Sequence, residues 1–414
     1  MHHVIIGTGP AGVSAAETLR RLNPGSKITM IGGEGEVPYS RMAIPYVLDG
    51  GIKEQGTHLR QDKGHYERLD IEVLAGPVTR IDAQHKLVEL LGGSAVNYDK
   101  LLIAAGASPV KPPVPGLDLP GVHHCWTLGD MRVIEELAQS GEDVVLMGAG
   151  FIGSIILEAL KKRGVNLTVV ELGDRMVPRM LDETAGGLLK QWCIGHGVDV
   201  LTDTGIDRVE PDGERLSVHL TSGASLSARL LVVAAGVKPN TGFLTGSGIK
   251  VGRGIVVDAH QQTSLPDIYA AGDIVESHDI STGEVSVMAI QPVVVDHARV
   301  AATNMAGFKA RYEGALAMNV LDTLGLITTS FGLWHGTGSG EQAMSLDAEN
   351  YKYLRLEFDG DHLVGAQSLG LPEHVGVLRG LIQSRIDLGP WKQRLMANPH
   401  QLAAAYVACT NGVC

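Results

Sequence analysis

Two glycine-rich turns of the same pattern constrain this chain more than any other feature. Gly7-Thr8-Gly9-Pro10-Ala11-Gly12 stands near the N-terminus, and Gly148-Ala149-Gly150-Phe151-Ile152-Gly153 repeats its G-x-G-x-x-G spacing. Each follows an apolar run, His3-Val4-Ile5-Ile6 or Val144-Val145-Leu146-Met147, of the kind that forms a strand buried on both faces of a parallel sheet. Each also opens a helix-like segment, residues 13–22 and residues 154–163. In that context the glycines have a physical use: a tight turn, close approach of a pyrophosphate to the backbone, and a helix N-terminus facing its charge. One match is weak evidence. Two matches in strand–turn–helix context predict two dinucleotide sites in one chain.

With 414 residues the chain has room for two or three domains. Its 53 glycines, 44% hydrophobic content and 4% aromatic content fit an α/β protein rich in strand-to-helix turns. The net charge of −12 comes with no concentration of Lys and Arg, which argues against nucleic acid as a partner. The first strand begins at about His3 with no secretory pattern before it, and no apolar run approaches a membrane span. The reading is a soluble cytoplasmic protein. The cysteines Cys125, Cys193, Cys409 and Cys414 make no C-x-x-C pair or metal spacing, and His123-His124 has no third ligand in view. No metal site is expected.

The first turn leads to the strand Lys27-Ile28-Thr29-Met30-Ile31 and then Gly32-Gly33-Glu34, where Glu34 is the candidate acid for a ribose hydroxyl. The second leads to Asn166-Leu167-Thr168-Val169-Val170 and Glu171. A carboxylate there accepts both hydroxyls of an adenosine ribose and repels a 2′-phosphate, favouring NADH, although Arg175 lies close by. Leu101-Leu102-Ile103-Ala104-Ala105-Gly106 closes the first unit, and Leu230-Leu231-Val232-Val233-Ala234-Ala235-Gly236 closes the second in the same way. The four prolines of residues 111–120 suggest a linker. From Leu265 onward, Pro266-Asp267-Ile268-Tyr269-Ala270-Ala271-Gly272-Asp273 reads as a third apolar strand ending on an aspartate, and a last unit with alternating strands and a helical end starts near residue 315.

On these motifs the sequence resembles the FAD-dependent pyridine nucleotide oxidoreductases, the two-dinucleotide-binding flavoproteins. Within them it is most similar to the NADH–rubredoxin/ferredoxin reductase and nitrite-reductase-flavoprotein branch, over essentially the whole chain. The resemblance implies an α/β fold of glutathione-reductase-like architecture. A discontinuous FAD domain would span 1–115 and 245–314, an NAD domain 116–244, both Rossmann-like, and a C-terminal α+β domain 315–414. It implies FAD on Gly7, Gly9, Pro10, Ala11 and Gly12, with Glu34, Arg41 of Pro38-Tyr39-Ser40-Arg41, Val78 at the adenine, Ala105 and Gly106, Gly272 and Asp273, and Pro292 and Val293 over the isoalloxazine. It places NAD(P)H, with NADH favoured, on Gly148, Gly150, Phe151, Ile152, Gly153, Glu171 and Gly236. A homodimer is also implied.

The departures from the family pattern shape the functional expectation. Disulfide-reducing relatives carry a redox cysteine after the first helix, but here the stretch reads Arg41-Met42-Ala43-Ile44-Pro45-Tyr46. The family's Lys and Glu beside the flavin stand here as Tyr46 and Ile155, and no side chain is assigned a catalytic role. Hydride transfer remains available, since it depends on stacking and distance. The resemblance therefore points to an oxidoreductase that takes a hydride from NADH onto FAD and passes electrons to rubredoxin, ferredoxin or another iron–sulfur protein. Two alternatives stand beside it. One is disulfide reduction through Cys409 and Cys414, weakened by the missing flavin-side dithiol. The other is a flavin-bound NADH sensor or assembly partner with little turnover.

Overall fold

The structure is a computed structural model and describes residues 1–411. The chain forms two compact units: Met1–Ser108 with Val237–Ala315, and Pro109–Gly236 with the chain from Leu316 onward.

The first unit is built on a five-stranded, wholly parallel sheet. Its order is Ile268–Ala270, Lys100–Ile103, His2–Ile6, Lys27–Gly32, Ile71–Ala75. His2–Ile6 is central because Val4, Ile5 and Ile6 are apolar on both faces, and each is at most 4% exposed. Crossovers between parallel strands place helices on a face. The helices Pro10–Leu22 and Gln291–Met305 cover one, burying Val13, Ala15, Ala16 and Leu19 against Val294, Ala298, Ala301 and Met305. A three-stranded antiparallel sheet, Val78–Asp82, Leu87–Leu90 and Ala95–Asn97, covers the other face through Ile81, Val88 and Leu90.

The second unit repeats the plan. Its parallel sheet runs Asp199–Leu201, Asn166–Val170, Asp143–Met147, Leu230–Val233, Val122–His124. A second antiparallel meander, Ile206–Asp212, Arg215–Leu220 and Ser225–Ala228, packs on it through Val209, Leu216 and Val218. The helices Leu128–Leu137, Phe151–Lys162 and Glu183–Gly195 connect the strands. The same unit continues into an antiparallel five-stranded sheet, ordered Met318–Thr323, Leu326–Gly332, His362–Leu369, Lys352–Asp359, Glu341–Asp347. The helices Val375–Gln383, Pro390–Ala397 and Leu402–Thr410 follow.

The two parts of this unit are joined by side-chain bonds. Glu158 of the helix Phe151–Lys162 accepts Leu324 N at 3.0 Å, and Trp192 Nε1 donates to Leu324 O at 3.2 Å. Asp182 accepts Tyr353 OH at 2.7 Å and Arg355 Nη1 at 3.2 Å, while its own amide donates to Gln367 Oε1 at 2.9 Å.

Two sequence expectations shift. The helices after the glycine turns begin at Pro10 and Phe151, not at residues 13 and 154, because the turn residues themselves form the first helical turn behind a glycine N-cap. Proline suits that first position, where its missing N–H costs no bond. The strand before Asp273 ends at Ala270, since Gly272 turns the chain with φ +87°. No described helix is long and apolar enough to cross a membrane.

Candidate functional site

The two glycine turns are near copies in space. Gly7 and Gly148 have φ of +118° and +102°, conformations that favour glycine. Gly7 N donates to Ile31 O and Gly148 N to Val170 O, both at 2.8 Å. A Cβ on Gly7 would run into Ala104 O, and one on Gly148 would lie 2.6 Å from Ala234 O. A Cβ on Gly12 or Gly153 would overlap the carbonyl oxygen of Gly7 or Gly148, so the helix packs directly on the turn.

The middle glycines differ from these four. Gly9 (φ −76°, ψ −171°) and Gly150 (φ −73°, ψ −172°) are N-caps whose added Cβ would meet nothing within 4 Å. Neither helix has a side-chain cap, whereas Thr127 and Asp182 cap the helices Leu128–Leu137 and Glu183–Gly195. Each turn thus offers uncapped amides, an aligned helix dipole and open space over a glycine. That is the local chemistry of a pyrophosphate seat.

Around the first turn the structure gathers Glu34, Arg41, Gly272 and Asp273. A Cβ on Gly272 would touch Ala11 Cβ at 3.5 Å, which sets this turn against the first fingerprint. Asp273 follows it with no hydrogen-bond donor to its carboxylate from the described residues, and burial raises its pKa while Arg41 pulls it down. A half-buried carboxylate without a protein donor leaves its oxygens open to hydroxyl donors, which a ribityl chain has. Arg41 forms an ion pair with Glu34, whose other oxygen accepts Tyr39 OH at 2.6 Å. Val78 starts its strand half-buried beside Pro77, whose Cα lies 3.9 Å from where a Gly33 Cβ would be. Ala105 O accepts Asn240 Nδ2 at 2.8 Å and Gly106 O accepts Asn240 N at 3.0 Å. Pro292 is exposed in the first turn of the helix Gln291–Met305, and Val293 is buried with Met288 and Ala315.

Around the second turn Glu171 is fixed by both oxygens. Oε2 accepts Ala149 N at 2.6 Å and Oε1 accepts Gly173 N at 2.8 Å. Phe151 and Ile152 are half-buried in the first helical turn, and Gly236 (φ +98°) is exposed, its carbonyl accepting Val110 N at 2.8 Å. Val177 N donates to Ala149 O at 2.9 Å, tying the loop after Glu171 onto the fingerprint. Val177 does so at φ +50° and directly before a proline, an unfavourable conformation for a β-branched residue. Sequence reading missed Asn240, Tyr39 as a partner of Glu34, and Val177. Only Asn240 left a signal: Gly236-Val237-Lys238-Pro239 repeats the G-x-x-P of Gly106-Ala107-Ser108-Pro109, and Asn240 follows it.

Cys125 and Cys193 are buried, and burial pushes each thiol up to about 12. Neither is a nucleophile at neutral pH. Cys409 lies in the last described helix, with Sγ 3.8 Å from Leu388 O, and Cys414 lies outside the described residues.

Residues 1–303 match the pyridine nucleotide-disulphide oxidoreductase family. The chain is 31% identical over 400 residues to the NADH-dependent phenylglyoxylate dehydrogenase subunit epsilon of Aromatoleum evansii, covering 96% of this chain and 95% of that one. It is 31% identical over 405 residues to rhodocoxin reductase of Rhodococcus erythropolis, covering 94% and 91%. Among solved structures it is similar to a NAD-dependent persulfide reductase from A. fulgidus, with a TM-score of 0.87 and 29% identity over 94% of this chain and 78% of that chain.

Proposed function

The chain belongs to the pyridine nucleotide-disulphide oxidoreductase family and is an NAD(P)H-dependent FAD flavoprotein oxidoreductase; from that premise we propose that it takes reducing equivalents from NADH and hands them to a small iron–sulfur protein. The observation that carries this reading is the absence of any cysteine from residues 1–108 and 237–315, the unit that holds the first glycine turn. With no thiol there to relay electrons, they leave the flavin directly for an acceptor.

When bound, the two cofactors supply hydride transfer from the nicotinamide to the flavin and storage of the electron pair. The residues of the chain bind and orient them. Gly7 and Gly12 allow the tight turn and the close packing of its helix, Gly9 leaves the open space an FAD pyrophosphate would fill, the amides behind Gly9 would meet its charge, and Asp273 would accept hydroxyls of the chain joining pyrophosphate to ring. Gly148, Gly150 and Gly153 would play the same parts for the nicotinamide dinucleotide, and Glu171 would accept its ribose hydroxyls through the lone pairs that Ala149 and Gly173 leave free. Rhodocoxin reductase, similar over most of its length, supports a small redox-protein acceptor.

Purified protein is expected to be yellow, to bleach on anaerobic addition of NADH, and to regain colour on addition of oxidised ferredoxin or rubredoxin. Colourless protein that takes up no FAD ends the proposal. Recovery of colour only with disulfides or persulfides, lost in a Cys409→Ser/Cys414→Ser variant, replaces the iron–sulfur acceptor with a disulfide or persulfide that is reduced to thiol. A second reading reverses the flow, with a reduced iron–sulfur donor and NADH as product. It is favoured by the likeness to a dehydrogenase subunit named as NADH-dependent, and a flavin midpoint potential well below that of the NAD couple would establish it.

A further inference from the structure

Glu171, which accepts Ala149 N of the second turn, is followed three residues on by a second acid, Asp174. The loop beyond it, residues 172–181, is tied back to it by Gly173 N and carries two cations, Arg175 and Arg179. A free guanidinium beside the ribose acid is the group that recognises a 2′-phosphate, through paired N–H donors. Arg175 is not free. Its Nη1 donates to both carboxylate oxygens of Asp174, at 2.9 and 2.7 Å, and its Nε donates to Leu181 O at 3.1 Å. Its stem is held as well, since a Cβ on Gly186 would come within 3.0 Å of Arg175 Cβ and Cδ. Asp174 is the more exposed partner, with a side chain 53% accessible against 22% for Arg175.

We propose that Asp174 is a specificity-determining residue: by holding Arg175 it withdraws the cation that would otherwise recognise an adenosine 2′-phosphate. Glu171 repels that phosphate, and Asp174 removes what would have offset the repulsion. Glu171 and Asp174 stand with two cations of the loop, Arg175 and Arg179, and because Asp174 commits Arg175, the repulsion from Glu171 is left to select the unphosphorylated dinucleotide. This rests on the reading of the second turn as the nicotinamide dinucleotide site.

The test is calorimetric titration of the full-length chain with 5′-ADP and 2′,5′-ADP, which needs no turnover. In Asp174→Ala the affinity for 2′,5′-ADP relative to 5′-ADP is expected to rise about five- to tenfold, the size of one freed, partly exposed charge-assisted contact. Asp174→Ala/Arg175→Ala should return the ratio to the parent value, while Asp174→Ala/Arg179→Ala should keep the gain. A ratio unmoved by Asp174→Ala, or a gain that survives loss of Arg175, overturns the proposal. If the parent chain binds 5′-ADP and the ratio stays fixed, only the role of Asp174 falls. If the parent binds neither nucleotide, the dinucleotide reading of the second turn falls with it.

Discussion

Glu171 Oε2 accepts the backbone amide of Ala149 at 2.6 Å, joining the acid at the end of one strand to the glycine turn at the end of its neighbour. The bond orients the carboxylate before any nucleotide arrives. Glu171→Ala removes both this bond and the proposed ribose acceptor, and hydrogen bonds to a charged group contribute about 1.5–3 kcal/mol each. Loss of one such bond to NADH should weaken its binding tenfold or more, read as a rise in KM, with FAD content unchanged. Glu171→Gln keeps one acceptor oxygen and should lose less. An Ala variant with the parent KM would remove Glu171 from the nucleotide site.

The paired turns allow a matched experiment. Gly12→Ala and Gly153→Ala each push a methyl into a carbonyl oxygen of their own turn, a backbone clash that costs roughly 1–3 kcal/mol. Gly12→Ala should purify with little or no flavin. Gly153→Ala should stay yellow but resist bleaching by NADH. If the two phenotypes were exchanged, the assignment of the turns to the two cofactors would be reversed.

Asp273 predicts effects of opposite sign in the apo and flavin-bound states. Burial raises its pKa in the folded chain, so the ionised group destabilises the apo fold at neutral pH. Asp273→Asn should therefore raise the apo Tm while lowering FAD retention about tenfold, the loss of one charge-assisted acceptor. A variant that loses thermal stability in both states would place the carboxylate in a structural role.

Stability should fall between pH 6.5 and 4.5. His3 is 0% exposed with neither ring nitrogen bonded, and His297 is 1% exposed with Nε2 3.1 Å from Ser277 Oγ. Burial lowers both from 6.5 to about 4. The unfolded chain thus takes up protons that the folded chain refuses, so stability is complete above about 6.5 and declines as pH falls toward 4, by up to about 3 kcal/mol per histidine. Glu17 and Glu72, both lowered from 4.5, add their loss only below that value. Urea midpoints across this range should therefore slope upward with pH, and His3→Leu should flatten the slope. An unchanged slope in that variant would assign the acid sensitivity elsewhere.

The turns were legible because their constraint is local. Gly7 and Gly12 exclude a Cβ by contact with backbone a few residues away, or in the next strand of the same sheet, and such demands leave a fixed spacing in the sequence. Strand runs such as Val144 to Met147 were legible for a related reason, since burial on both faces removes polar residues from the whole run. What stayed hidden depends on how individual side chains turn, whether their partners are near in sequence or far. Nothing in the sequence couples Glu34 to Tyr39, or shows that Asp174 engages the guanidinium of Arg175. Nor does any spacing reveal that Asp182 meets Tyr353, because neither residue type is unusual where it stands.

The grip on Leu324 bears on how this protein is to be dissected. The amide is held by Glu158, two turns along the helix that the second glycine turn begins, and the carbonyl by the indole of Trp192. A fragment cut after residue 315 would strip both, and would also leave Asp182 without Tyr353, Arg355 and Gln367. The segment that carries the second glycine turn is therefore no portable cassette: grafted or expressed without the sheet that follows it, it would carry raw edges where its own chain used to be.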